Sequence, residues 1–261
     1  MRMLRVMGLY LKVSILNELQ YRVNFFVQIF QSALALLVAL GGLAIVFTQT
    51  DALSGWTQPE LVAVLGVYFM VGGVVGALIQ PSMALLMEDI QQGTLDYAIL
   101  KPVETQLLIS VRRVEIWKLL DVLLGIGLLL WSVSQMGKPI SLLNLGAFGL
   151  LLVAGCAMVY SFWLMLATIA FWFIRVDNIL GVFQSMYEAG RYPVRIYPNW
   201  LQLLLTFLVP VAFAVTVPTE ALTGRLTPAT FAAALGLAGG LLLASRIFWG
   251  YGIRAYSGAS A

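Results

Sequence analysis

The side chains able to act on a ligand or a partner fall into two groups. Asn24, Gln28, Gln31 and Ser32 are spaced i, i+4, i+7 and i+8, so on a helix they share one face. Amides and a hydroxyl donate and accept hydrogen bonds but do not titrate near neutral pH. The second group is a polar island over residues 88–103, Glu-Asp-Ile-Gln-Gln-Gly-Thr-Leu-Asp-Tyr-Ala-Ile-Leu-Lys-Pro-Val, between two long apolar runs. Other chemistry is poorly supplied. The chain has no histidine, which removes the commonest general base and the commonest metal ligand, and with them any Ser/His/Asp, Cys/His or HExxH arrangement. The lone Cys156 lies in an apolar run and can form no intramolecular disulfide. No Gly-x-x-x-x-Gly-Lys-Ser/Thr loop is present to cradle nucleotide phosphates. No carboxylate stands at the centre of an apolar run, and Asp121 reads as lying near an edge. No catalytic residue, cofactor or metal is expected.

The elements that must carry these groups are membrane helices. Of 261 residues, 61% are hydrophobic and only 10% charged, with a mean hydropathy of +0.94. A soluble domain carries about 25% charged residues, too many for this chain to imitate. The length accommodates roughly six spans of about 20 residues with short connections. Apolar windows place them near 23–48, 60–87, 107–136, 142–174, 199–217 and 227–249, in a single all-α membrane domain over 1–261. The buried part of the third begins nearer Val122. Before the first span, Leu4, Gly8, Leu11, Ile15 and Leu19 recur every three or four residues, which predicts an interfacial helix over 1–22. Arg2 and Arg5 precede it, but Lys12 and Glu18 interrupt any signal-peptide core, so no cleavable signal is expected.

Basic residues set the orientation. With the N-terminus inside, thirteen of the fifteen Lys and Arg residues fall on the cytoplasmic side, and only Lys138 and Arg225 fall outside. Both termini, the 88–106 segment and the 175–198 loop are then cytoplasmic, in a multi-pass cell-membrane protein. The net charge of +3 is dispersed over loops and gives no nucleic-acid signal.

Local signals refine this frame. Gly93 can end a helix and Thr94 can cap the next, whose Leu95, Ala98 and Ile99 form an apolar stripe until Pro102 stops it. Asp96 and Lys101 lie off the stripe. Gly66, Gly72, Gly73 and Gly76 predict close helix approach in the second span, with Gly72-x-x-x-Gly76 as its motif. Pro81, within Gln80-Pro81-Ser82, should bend that span and free a carbonyl. Arg112–Glu115 and Lys118–Asp121 are spaced to pair at i, i+3 on a helix. In the 175–198 loop, Ile179, Leu180, Phe183 and Tyr187 make a stripe, and Arg191, Tyr192, Arg195 and Tyr197 suit the headgroup zone. Pro218 should close a short fifth span. The amide face of the first span either holds helices together or lines a path or subunit interface, because amides left facing lipid would lack partners.

The 88–103 island resembles the loop after the second span in permeases of the ABC-2 exporter family, where an acidic pair precedes Gly-Thr-Leu-acidic and a later Pro. The turns at Arg191-Tyr192-Pro193 and Tyr197-Pro198, with Pro210 and Pro218, are similar to a subgroup that works as two different permeases with one type of ATPase. The resemblance implies that 88–103 is a coupling helix docking on cytoplasmic ABC ATPase subunits, with Glu88, Asp89, Gly93, Thr94, Leu95, Asp96, Tyr97, Ile99 and Pro102 as its residues. It also implies a second permease subunit, identical or different. It puts the interfacial helix and Arg112 or Arg113 near the ATPase, and the first span near the dimer interface. Membrane lipids are the remaining expected partner. The competing expectation is a non-transporting scaffold or assembly factor.

Overall fold

The computed structural model describes residues 22–137, 140–173, 177–208 and 210–256, with positions 8, 9, 12, 13, 15–17, 19 and 20 of the N-terminal segment. Those N-terminal positions are helical, as the stripe predicts for Gly8, Ile15 and Leu19; Leu4, Leu11, Arg2, Arg5 and Glu18 lie outside the described residues. So do Lys138 and the side chains of Ile179, Leu180 and Phe183.

Every regular element among the described residues is helical. Five helices are long and apolar enough to cross a membrane. They are α1 (Arg22–Phe47), α2 (Gln58–Gln92), α5 (Leu119–Met136, entered through a 3-10 turn at Ile116–Lys118), α6 (Leu142–Ile169) and α10 (Pro228–Ala255). The short helices α3 (Asp96–Ile99) and α4 (Thr105–Ile109) lie between α2 and α5. Between α6 and α10 run α7 (Asp177–Glu188), α8 (Asn199–Leu203) and α9 (Val217–Thr223).

The fifth apolar run is built of pieces. After α8 comes a π-turn at Leu204–Leu208, then a second at Ala212–Thr216 that leads into α9. Pro210 and Pro218 have no N–H to donate, and wider π-turns accommodate such gaps. Pro218 does not close this run: it sits in the first turn of α9, which continues to Thr223 and stops at Gly224 in the left-handed region. The π-turn at Ala212–Thr216 runs straight into α9, and its wider turn takes up the donor that Pro218 lacks.

α2 is the central element, and much of its surface is buried against α5 and α6. Its approach to α5 is glycine-made. A Cβ on Gly125 would lie 2.5 Å from the Gly66 carbonyl oxygen, and one on Gly73 would lie 2.8 Å from the Val122 nitrogen. The tight contact is therefore Gly66/Gly73 against Gly125 and Val122. Gly72 and Gly76 face the Tyr187 ring and the Lys118 stem instead. Near its middle α2 widens into a π-turn at Val75–Ile79, ahead of Pro81. The carbonyl that Pro81 leaves unserved is that of Ala77, and it accepts the Glu115 N–H at 2.9 Å.

Two ends of the bundle can be told apart. One carries residues 22–25, 88–118, 169–173 and 246–256, linked by the Phe25–Trp117 and Phe171–Tyr256 ring contacts and by an Arg246–Glu104 ion pair. At the other, the start of α2 meets the turn after α9. There Glu60 completes a capping box with Thr57 and pairs with Arg225 at 2.7 Å, while the guanidinium lies 4.7 Å over the Trp56 ring.

The 175–198 segment is not confined to the first end. The Tyr187 hydroxyl donates to the Tyr68 carbonyl at 3.0 Å, Arg191 lies 5.6 Å over the Tyr68 ring, and the Tyr192 hydroxyl lies beside Gly42. Tyr68 is about 15 Å along α2 from its Gln58 end, and Gly42 is close to the far end of α1. α7 thus climbs into the bundle, so Arg191 and Arg195 leave the cytoplasmic tally of basic residues. A count by loop position cannot see a chain segment re-entering between helices.

Candidate functional site

The first candidate is a polar track along α1. Gln28 and Ser32 are buried, and both reach Asp121 on α5: the Gln28 amide donates at 3.3 Å and the Ser32 hydroxyl makes a short bond to the other carboxylate oxygen. Gln28 also donates to Ser32 at 2.7 Å. The amide face therefore meets a carboxylate that the sequence placed at a solvated helix edge. Asp121 is the partner that explains half of this face. Asn24 and Gln31, by contrast, remain exposed.

Behind this cluster lies a cavity of about 250 Å³, bounded by α1, α2, α5 and α7. Its polar lining includes Gln31, Gln80, Lys118, Asp121, Glu188 and Arg191. A second cavity of about 290 Å³ shares Gln28, Gln31 and Lys118 with the first and continues to Asn24, Arg113, Glu115 and Trp117. Together they form one polar groove from the 88–118 end to the depth of Tyr68. The stacked Tyr68 and Tyr187 rings, 5.1 Å apart, wall its inner end. Sequence reasoning missed Tyr68, Lys118, Glu188 and Arg191 as members. The available signal was the i, i+3 pair Glu188–Arg191 beside apolar sequence, now seen as an ion pair at 3.8 Å.

The second candidate is the 88–118 segment. Gly93 ends α2 at φ 70°, and the Thr94 N–H donates to the Asp89 carbonyl at 2.9 Å, a Schellman closure. Thr94 does not cap the next helix: its hydroxyl donates to the Asp89 carboxylate at 3.0 Å. Asp89 is buried and also holds Arg112 in an ion pair. Arg112 therefore pairs with Asp89 and not with Glu115, and Lys118 does not pair with Asp121. Residues 113–115 are not helical, so i, i+3 spacing does not bring Arg112 to Glu115; Lys118 and Asp121 are on a helix, but Asp121 bonds Gln28 and Ser32 while the Lys118 stem packs toward Gly76.

The apolar stripe of α3 faces the opposite way from a docking surface. Leu95 and Ala98 are buried in the chain's own core and Ile99 packs against it, whereas Tyr97 and Leu100 are 74% and 82% exposed. Amphipathic spacing identifies a covered face without saying what covers it. Glu88 and Pro102 are exposed beside them, and Asp96 is half-buried.

Straps fasten this segment to three spans. Besides Asp89–Arg112 and Glu115–Ala77, the Ser82 hydroxyl of α2 donates to the Arg113 carbonyl at 2.9 Å. Gln106 on α4 donates to the Tyr160 hydroxyl of α6 at 3.3 Å and accepts from Arg246 of α10 at 2.8 Å. Ser110 and Tyr160 hydroxyls lie 2.7 Å apart. The crowding is also electrostatic: burial, then the Arg112 charge, pulls the Lys101 ammonium below its usual range.

A polytopic helical bundle with a charged groove at membrane depth, and a rigidly strapped surface segment at one end, is the architecture of a membrane transport component. The chain belongs to the ABC-2 transporter family: a sequence profile described as ABC-2 family transporter protein matches residues 33–260. No curated protein and no solved structure matches it significantly. Family members are transport permeases and not catalysts, and membership implies association with an ABC ATPase.

Proposed function

We propose that this chain is the membrane-spanning permease subunit of an ATP-driven exporter, coupled through residues 88–118 to a separate cytoplasmic ATPase and paired with a second permease. The observation that carries the reading is the strapped segment. It presents Tyr97 and Leu100 outward on a piece of chain tied to α2, α6 and α10. A docking element must transmit force, so it needs an exposed apolar contact on one side and stiff attachments on the other. Both requirements are met within about thirty residues of sequence, whose surviving basic residues favour the cytoplasm.

In this reading, closure of the ATPase dimer pushes on Tyr97 and Leu100. The push passes through Asp89–Arg112 into α2 and through Glu104 and Gln106 into α10 and α6. α1 and the polar track then shift against the moving helices and expose a path outward. Gln28, Gln31, Ser32 and Asn24 line that path or the contact with the second permease.

Pull-down from native membranes tests the reading. The wild-type chain should retain an ABC ATPase, and the combined Tyr97→Ala and Leu100→Asp chain should lose it while keeping its thermal unfolding midpoint. Full retention of the ATPase by the double variant would refute docking through this face.

A further inference from the structure

We infer that the polar groove along α1 receives the zwitterionic headgroup of an amphiphile, an ammonium and a phosphate on one molecule, while its tails stay in the lipid alongside. This deepens the permease reading above and rests on it. Three observations carry it.

The first is charge. The groove is lined by three basic residues (Arg113, Lys118 and Arg191) and three acidic ones (Glu115, Asp121 and Glu188). Along the chain from Arg113 to Asp121 the signs alternate. Among the described residues only Glu188–Arg191 closes an ion pair within the groove, and that loosely at 3.8 Å. Asp121 is held by neutral donors, and no carboxylate of another described residue lies within 4 Å of the Lys118 ammonium. Charges of both signs that leave one another unpaired suit a ligand that also carries both. A purely anionic head would meet as much repulsion as attraction.

The second is place. The groove opens at the end that carries 88–118, where Arg113, Glu115 and Lys118 stand at headgroup level, and runs inward past Asp121 to Arg191 over the Tyr68 ring. Gln31 and Glu188 are exposed, which marks the open side of the groove. The third is the rim. Around Gln31 on α1 stand exposed Val27, Phe30 and Leu34, and on α5 exposed Leu119 and Leu123. A molecule entering sideways slides its head along charges and its tails along apolar side chains. A soluble zwitterion gains nothing from that rim.

The test uses the full chain in detergent, with binding read by intrinsic fluorescence. The probes are short-chain phosphatidylethanolamine, phosphatidylglycerol and diacylglycerol with the same tails, and glycerophosphoethanolamine with none. The zwitterionic lipid should bind about tenfold or more tightly than the anionic one, a difference of about 1.4 kcal/mol. Diacylglycerol and the tail-less head should bind more weakly still. Glu188→Gln, on an exposed side chain that the fold does not need, and Lys118→Gln should each bring phosphatidylethanolamine down to the level of phosphatidylglycerol. Equal binding of the two lipids overturns the headgroup assignment, as does unchanged affinity in both variants. Glycerophosphoethanolamine binding as tightly as the lipid overturns the amphiphile. Such failures with ATPase capture intact fall on this inference alone; loss of capture in the wild-type chain falls on the permease reading.

Discussion

The 88–118 end and the first span are built on opposite plans. Around 88–118, ion pairs and hydrogen bonds tie short helices to α2, α6 and α10, and Leu95, Leu108 and Ile109 are fully buried. α1 has only a small share of its surface covered. Its polar ties among the described residues are Gln28 and Ser32 to Asp121, joined by the Phe25–Trp117 ring contact, the Tyr192 hydroxyl beside Gly42, and Ala39 and Leu43 in the core. Interhelical hydrogen bonds of this kind average about 0.6 kcal/mol each. The contrast assigns different work to the two regions: one end receives force as a unit, and one helix is held weakly enough to move.

The largest expected effect lies in the core of the strapped end. Leu95→Asp buries an uncompensated carboxylate and should cost about 4 kcal/mol or more, read as a collapse of the detergent-solubilised unfolding midpoint. Near-normal stability in that variant would mean that α3 is not packed inward. Next comes the ion pair that closes the segment on α2. Arg112→Ala strands the Asp89 carboxylate and should cost about 3 kcal/mol, whereas the joint change with Asp89→Asn should recover much of it. An additive loss would show that the pair is not coupled. The smallest stability effect belongs to α1. Gln28→Leu with Ser32→Ala removes both bonds to Asp121 at about 1 kcal/mol in total, and it should alter transport far more than unfolding. A loss of several kcal/mol would contradict a weakly held first helix.

How much was legible from the sequence follows the range of each interaction. Gly93 and Pro81 were readable because a left-handed cap and a missing N–H act within a turn, and both features are observed. The stripe of Leu95 and Ala98 was readable as a stripe, but its covering was not: core and partner select the same residues. Asp121 looked peripheral because the groups that satisfy it lie about ninety residues away on α1. Arg191 and Arg195 drew the 175–198 segment toward the cytoplasm, since the charge rule assumes connecting segments stay outside the bilayer. What retains Arg191 at depth is the pairing of α7 with Tyr68, again a contact across the fold. The fifth run was visible as hydropathy, while its π-turns depend on two prolines acting together with packing against α6. There a Cβ on Gly155 would lie 2.7 Å from the Ala214 Cα.

Spin-label distances test the central contrast most directly. In a Cys156→Ala background, labels at exposed Phe30 and Leu123 report α1 against α5, and labels at exposed Leu107 and Leu243 report the strapped end against α10. With the ATPase bound and ATP added, the Phe30–Leu123 distance should change by more than the ~1–2 Å of an ordinary helix shift. The Leu107–Leu243 distance should hold within that range. A fixed first pair beside a moving second pair would contradict the account.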